Sequence, residues 1–90
     1  MSFIPAYTSQ FKKDVATCEK QQKPMKKLVE VMDILLNGKS LPSRFHPDKL
    51  NDNFKNHMEC RVESDWLLIY KLDGREVIFE RTGKPEEIYS

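Results

Sequence analysis

Two arginines in the C-terminal third, Arg61 and Arg81, are the residues of this chain best suited to chemistry. A guanidinium group is planar, stays positively charged, and can donate two parallel hydrogen bonds to one phosphate group. If both hairpins predicted here have two-residue loops, the two arginines share one face of an antiparallel sheet, roughly 11 to 12 Å apart. This pair predicts a phosphate-binding surface. The alternative is an ordinary solvated sheet, on which the arginines pair with Glu59 and Glu63.

The same register predicts what surrounds the two arginines. Their face would also hold Glu59 and five large side chains, which are Trp66, Leu68, Tyr70, Val77 and Phe79. Aromatic rings can stack on nucleic-acid bases while arginines hold the phosphates. The other face would be the side covered by helices, with Cys60, Val62, Leu67, Ile69 and Ile78.

The elements that must position these residues predict an α+β fold, with two N-terminal helices packed on an antiparallel sheet. Phe3–Tyr7 is typical of an edge strand, because it is short and interrupted by Pro5. Thr8 or Ser9 can cap a first helix, and a second one is predicted between Pro24 and Asn37. Apolar residues recur at helical spacing in both, at Phe11, Val15 and Cys18 in the first and at Met25, Leu28, Val29, Met32, Leu35 and Leu36 in the second.

The C-terminal half predicts a three-stranded meander. The strands run over about 58–63, 66–72 and 75–81, and Ser64-Asp65 and Asp73-Gly74 separate them as short turns. Residues 39–55 show no sustained period and are rich in turn formers. Loops of this length in a compact domain are often functional.

Composition indicates one small domain over residues 1–90, since 90 residues with 39% hydrophobic content leave no material for a second core. No run approaches the ~20 apolar residues that a membrane span needs, and the first residues lack a signal-peptide pattern. We therefore expect a cytoplasmic protein, with Cys18 and Cys60 as reduced, packed thiols. Residues 1–44 carry eight basic and four acidic side chains, so this half can follow a phosphate backbone or be a solvated helical surface.

Two segments, DWLLIYKL at 65–72 and FERTG at 79–83, are similar to the YafQ branch of the RelE superfamily, the toxins of bacterial toxin–antitoxin pairs. The order of the predicted elements is also that of this family. The resemblance implies an mRNA endonuclease that works in the ribosomal A site, beside small-subunit ribosomal RNA, and is silenced by a cognate antitoxin. It implies attack by the RNA's own 2′-hydroxyl group, for which no metal or cofactor is expected.

Three positions depart from this family, which typically carries histidine there. Aligned without gaps, they hold Asp48, Arg61 and Pro85, although a small gap would bring His46 to the first. Arg61, Asp65, Arg81 and Tyr89 resemble the RelE arrangement instead, which uses Arg, Lys and Tyr. A catalytically weak relative that keeps the antitoxin and ribosome contacts is therefore the alternative function.

The resemblance assigns catalytic roles to five candidates, which are Arg61, Arg81, Asp65, Tyr89 and His46. The arginines would stabilise charge on the phosphate. Asp65 would orient one of the arginines, or it would be present only because Asp suits the tight turn of the first hairpin. Tyr89 would remove the 2′-proton, stack on a base, or pack the tail. His46 can exchange a proton near neutral pH, although a solvated side chain is the alternative.

Candidate RNA ligands are Lys49, Lys55, His57, Lys84 and Trp66. The lysines can hold phosphates or protonate the leaving oxygen, and the alternative is simple solvation. For Trp66 the alternative to stacking on RNA is burial in the core.

Overall fold

The computed structural model describes residues 2–50 and 57–89. Within these residues, five strands form one mixed sheet in the order β1-β5-β4-β3-β2. The strands are β1 (Ile4–Tyr7), β2 (Asp48–Lys49), β3 (His57–Glu63), β4 (Trp66–Asp73) and β5 (Glu76–Gly83). The predicted meander is confirmed as β3, β4 and β5. The predicted N-terminal edge strand is β1, which runs parallel to β5.

The two predicted N-terminal helices are α1 (Ser9–Lys20) and α2 (Met25–Leu36), and a short third helix, α3 (Pro85–Ile88), follows the sheet. Of the two predicted caps, Thr8 and Ser9, the structure shows Thr8, because its Oγ1 accepts a hydrogen bond of 2.9 Å from the backbone N–H of Phe11. A single 3₁₀ turn at Ser43–Phe45 lies in the segment predicted as a loop. No helix in the described part of the chain is long and apolar enough to cross a membrane.

The buried stripe of α2 differs from the predicted one by a small rotation of the helix. Leu28, Val31 and Leu35 are buried, whereas Val29 is 54% exposed. Buried residues at i, i+3 and i+7 lie along one line of the helix that faces the sheet. Met25, Val29 and Met32 of the predicted stripe line a groove between α1 and α2 that is described below, and Leu36 packs against the core.

The register of the first hairpin is predicted correctly only next to its turn. Ser64 and Asp65 form the turn, and Glu63 lies opposite Trp66, as expected. One residue further on, the register shifts at a β-bulge, so that Cys60 and not Arg61 lies opposite Leu68. A bulge adds one residue to one strand, and the sequence pattern does not mark its position.

The second hairpin departs from the predicted register twice. Its turn is Gly74-Arg75, one residue later than expected, and Asp73 pairs with Glu76. A second bulge, at Glu80, then brings Arg81 opposite Ile69. The prediction that Trp66 lies opposite Arg81 is therefore wrong.

The first bulge exchanges the two predicted faces of β4, and of β5 as far as Phe79, because successive side chains of a strand point to opposite sides. The bulge at Glu80 reverses the facing again, so Arg81 lies on the side of Ile69 and shares a sheet face with Arg61, as predicted. The side covered by α1 and α2 carries Trp66, Leu68, Tyr70, Val77 and Phe79 together with Cys60 and Val62. The first five were predicted on the other face. Leu67 and Ile69, predicted in the main core, instead form a smaller buried cluster with Ile88 of α3, against which Leu50 packs.

Candidate active site around Arg61

The sheet face opposite α1 and α2, called here the outer face, carries the polar side chains of β3. His57, Glu59 and Arg61 alternate along this strand with the core residues Cys60 and Val62. Strand alternation therefore places three groups that can bind phosphate or exchange protons on one side of the sheet. The small apolar cluster around Ile88 supports the same face.

Arg61 lies at the end of the outer face, beside the first hairpin turn. It is half-buried, and its Nη1 donates a hydrogen bond of 2.6 Å to the carbonyl oxygen of Ser64. Asp65 was predicted to orient one of the two arginines or to serve the turn, and the Arg61 bond goes to the neighbouring backbone carbonyl of Ser64. A carbonyl does not neutralise the positive charge, and this bond uses one of the five guanidinium donors. The side chain is therefore positioned and keeps donors for an anion.

Tyr89 and Glu59 form a hydrogen-bonded pair next to Arg61. The Tyr89 hydroxyl donates to Oε1 of Glu59 at 2.7 Å. Burial and this hydrogen bond raise the pKa of Tyr89, against the opposing effect of the positive charge of Arg61. The phenol is consequently a proton donor here, and the carboxylate of Glu59 is the acceptor. Sequence reasoning missed Glu59 as a candidate, although its position two residues before Arg61 on one strand was a signal.

A cleft of about 600 Å³ opens beside Arg61, between α2, the 3₁₀ turn and the first hairpin. Arg61 and His46 both line this cleft, so the structure brings these two predicted residues together. His46 has a left-handed backbone with φ +47° and ends the 3₁₀ turn. Non-glycine residues in this conformation are uncommon and often occur at functional sites. Arg44 also lines the cleft and was missed by sequence reasoning.

Arg81 does not join this group, because it is held by α1. Its Nε donates to Oδ2 of Asp14 at 2.7 Å and its Nη2 to Oδ1 at 3.3 Å. Asp14 is 8% exposed, so the pair is largely removed from solvent. The alternative of structural ion pairing fits Arg81, although its partner is Asp14 and not Glu59 or Glu63. The ion pair uses two of the guanidinium nitrogens, so the catalytic role predicted for Arg81 stays a prediction.

Trp66 is fully buried, which contradicts its assignment as an RNA ligand. Its exposed fraction is 0%, and its Nε1–H donates to Oγ1 of Thr82 at 2.8 Å. The Trp66 ring is therefore part of the core, which was the alternative interpretation of this residue from the sequence.

The structure describes three of the remaining predicted RNA ligands, which are His57, Lys49 and Lys84. His57 lies on the outer face with its Nε2 3.1 Å from Oε2 of Glu80, four residues along β3 from Arg61. Lys49 lies opposite Met58, a residue of the helix side, so it faces away from Arg61. The backbone N–H of Lys84 donates to Glu87 at the start of α3. Lys55 lies outside the described residues.

The structure also places Asp48 and Pro85, two positions at which the family typically carries histidine. Asp48 lies opposite Glu59, so it adds a second carboxylate to the outer face. Pro85 is the first residue of α3. Among residues 2–50 and 57–89, no group of three or more His, Cys, Asp or Glu side chains is arranged to hold a metal ion. The expectation that no metal is needed stays a prediction.

Comparison with known proteins gives consistent matches over nearly the whole chain. The family model described as "Bacterial toxin of type II toxin-antitoxin system, YafQ" matches residues 4–90. The mRNA interferase toxin YafQ of Escherichia coli strain B is 41% identical over 78 residues, which are 86% of this chain and 85% of that protein.

Solved structures agree with this match. The fold is similar to the crystal structure of YafQ from E. coli BL21(DE3), with a TM-score of 0.94, 36% identity, and coverage of 98% of this chain and 99% of the other. YafQ in the crystal structure of the E. coli DinJ–YafQ complex matches with a TM-score of 0.91 and 36% identity, at the same coverage.

Proposed function

The chain belongs to the YafQ family of bacterial type II toxin–antitoxin toxins, and we propose that it is an mRNA endonuclease with its site centred on Arg61. The observation that carries the assignment of the site is the position of Arg61. It lies between the Glu59–Tyr89 pair on the outer face and the cleft that holds His46. A proton acceptor on one side of Arg61 and a proton donor on the other are thus available next to a fixed positive charge.

In the proposed reaction, Glu59 takes the proton of an RNA 2′-hydroxyl group. The 2′-oxygen then attacks the adjacent phosphorus, and the bond to the 5′-oxygen breaks. The products are a 2′,3′-cyclic phosphate and a 5′-hydroxyl group. Carboxylates act as general bases when they lie within hydrogen-bond reach of the proton.

Arg61 stabilises the additional negative charge that develops on the phosphate oxygens. Its hydrogen bond to Ser64 holds the guanidinium in place before the reaction, which lowers the cost of reorganisation. His46, across the cleft, protonates the departing 5′-oxygen. Tyr89 keeps Glu59 oriented by donating to it.

We also propose that the toxin works on the ribosome, on mRNA in the A site, and therefore in the cytoplasm. Exposed lysines on α1 and α2 support a contact with ribosomal RNA; they are Lys12, Lys13, Lys20, Lys26 and Lys27. Clustered lysines bind phosphate backbones through charge and counterion release.

A cognate antitoxin is the proposed protein partner, as DinJ is in the complex with the E. coli relative. An apolar groove of about 360 Å³ between α1 and α2 can receive the apolar side of an antitoxin helix. Phe11, Val15, Met25 and Val29 contribute to it, and Lys12 lies at its edge. The surrounding lysines favour a partner helix with acidic residues beside its apolar stripe.

The test of the assignment is cleavage by Arg61 variants. Purified ribosomes programmed with a defined mRNA are incubated with the wild type, Arg61→Ala or Arg61→Lys, and cut ends are mapped by primer extension. We expect Arg61→Ala to lose about 10²- to 10³-fold in rate, because a preorganised group for transition-state charge is removed. Arg61→Lys should recover part of the rate.

Arg75→Ala is the matched control, because Arg75 is exposed in the turn at the other end of the sheet. Thermal unfolding confirms that each variant is folded. Full activity of folded Arg61→Ala would contradict the site. A wild type that binds ribosomes without cutting mRNA would establish the alternative, a catalytically weak relative, which the departure at three family histidine positions favours.

A further inference from the structure

We propose that Arg44, lying over the ring of Phe45, is a stacking platform for the RNA base next to the cleaved phosphate. This inference rests on the proposed function and extends it to how the site selects RNA. Neither residue is a candidate from the sequence pattern, because Arg44 and Phe45 fall in the segment that has no sustained period.

Two contacts hold the guanidinium of Arg44 in place. Its Cζ lies 4.5 Å from the centroid of the Phe45 ring, and its Nη2 donates to Oε1 of Glu30 at 2.9 Å. Phe45 is buried, with 6% exposed, so the ring that supports the guanidinium is anchored in the core. The Arg44 side chain is nevertheless 65% exposed. One side of the planar group is covered and the other side is available. Because the side chain is already held in place, a base that stacks on it does not have to order it first.

The location of this platform relates it to the reaction. Arg44, Phe45, His46 and Arg61 line the same cleft. Its volume of about 600 Å³ lies within the range of roughly 300 to 1,000 Å³ of small-ligand sites, so it can hold one nucleotide. An RNA strand whose phosphate lies on Arg61 would place a neighbouring base in this cleft.

The chemistry of the cleft favours a base over a carboxylate or a free phosphate. Glu30 accepts a hydrogen bond from Nη2 of Arg44, and Glu63 accepts one of 2.9 Å from Lys27 on the same wall. These two ion pairs reduce the attraction of Arg44 and Lys27 for a second small anion beside the phosphate on Arg61. What remains is the flat side of a guanidinium, which stacks on nucleic-acid bases in RNA-binding proteins. A larger ring system overlaps this surface better, so we expect purines to be preferred over pyrimidines.

The experiment compares mRNAs that differ only in the base beside the cut. Wild type, Arg44→Ala, Arg44→Lys and the control Arg75→Ala are assayed on programmed ribosomes, and KM and kcat are measured separately. We expect Arg44→Ala to raise KM by roughly 5- to 150-fold for purine-containing sites and to lose the purine preference. Arg44→Lys keeps the charge but not the planar group, so it should lose the preference too.

Two results would overturn the platform while leaving the proposed function intact. One is an Arg44→Ala variant with the KM and base preference of the wild type. The other is an equal loss on all mRNAs that Arg44→Lys restores, since that would show a role for charge alone.

A binding measurement makes the inference testable even if the wild type does not cut. The ¹⁵N-labelled protein is titrated with a short RNA carrying a purine and with the same RNA made abasic at one position. A shift of the Arg44 Nε–H resonance with the first RNA and not the second supports stacking. Equal responses to both RNAs would contradict it.

Discussion

At the scale of single residues, the bond between Tyr89 and Glu59 decides which group can receive a proton. The phenol donates in this pair, and its raised pKa keeps the phenolate scarce near neutral pH. Tyr89 is the base suggested by the RelE-like residue set, whereas the geometry supports Glu59. The two assignments predict different responses to pH.

Glu59→Gln should reduce kcat by about 10²- to 10⁴-fold, since an amide cannot accept the proton. In the wild type, log kcat should not rise with the ionisation of a phenol between pH 7 and 9, because the proposed base is not the phenol. A phenolate base would instead increase the rate about tenfold per pH unit below the pKa of Tyr89, and burial moves that pKa upward. Measured pH–rate profiles distinguish these outcomes.

Tyr89→Phe serves as the companion variant. It removes the hydrogen bond to Glu59 without removing the proposed base, so its kcat should fall less than that of Glu59→Gln. A larger loss in Tyr89→Phe, together with a wild-type profile of unit slope, would contradict the role of Glu59.

Arg61 is a residue that could be identified as a candidate from its type and its position in the sequence. Its residue type and its place on a predicted strand identified it as an anion-binding candidate, and the structure places it beside the cleft. The same reasoning applied equally to Arg81, yet Asp14 holds that side chain. Residue type alone could not separate the two, because the difference lies in a partner 67 positions away.

At the scale of elements, the bulge in β5 is held by a network that joins α1 to the sheet. Asp14 accepts hydrogen bonds from Arg81 and from the backbone N–H of Thr82, at 3.2 Å for the latter. The hydroxyl of Thr82 donates to the carbonyl of Leu67 and accepts from the indole of Trp66, both at 2.8 Å. In the described part of the chain no buried side-chain nitrogen or oxygen is left without a partner. Such a satisfied network stabilises one register of the strand.

Arg81→Ala and Asp14→Ala should each lower the free energy of unfolding by about 2 to 3 kcal/mol, because each leaves a partly buried charge without its partner. The double variant should be destabilised by less than the sum of the two, since the second change removes the unpaired group. Urea unfolding monitored by Trp66 fluorescence measures all three.

Arg75→Ala again provides the control, with an expected change within about 0.5 kcal/mol for a surface site. The opposite result is also informative. If Arg81→Ala were as stable as the wild type but inactive in mRNA cleavage, Arg81 would act in catalysis and the structural assignment would be wrong.

At the scale of the whole molecule, the two sides of the sheet carry different tasks. The helices cover one side and form the groove that includes Met25 and Val29, whereas Arg61 and the Glu59–Tyr89 pair lie on the other side. A partner helix bound in the groove would therefore not contact the outer face directly. Binding of antitoxin and cleavage of RNA should be separable by mutation.

Val29→Glu should weaken binding of the cognate antitoxin at least tenfold, which corresponds to about 1.4 kcal/mol, while leaving ribosome-dependent cleavage unchanged. Val29 is 54% exposed, so a charge there is tolerated by the fold but opposes an apolar, acidic partner helix. Isothermal titration calorimetry with the purified antitoxin gives the dissociation constant.

Leu72→Glu is the matched control, because Leu72 is an apolar residue with 51% exposure on β4, outside the groove. Equal binding of antitoxin by the wild type and Val29→Glu would show that the partner helix binds elsewhere.

The sequence by itself determined the order of the elements, the turn at Ser64-Asp65, the cap at Thr8 and the family, because each is encoded by neighbouring residues. Periodicity, capping chemistry and short motifs act over a few positions of the chain. These features also made Arg61 and His46 candidates.

Only the tertiary structure decided which sheet face is core and which groups share a site. One extra residue at each of two bulges reverses the facing of every later side chain, and no local pattern marks a bulge. The pairs Tyr89–Glu59 and Arg81–Asp14 join residues 30 and 67 positions apart. Contacts over such separations form only when the helices and the sheet pack together, and they hold Arg81 against α1 while Arg61 borders the cleft.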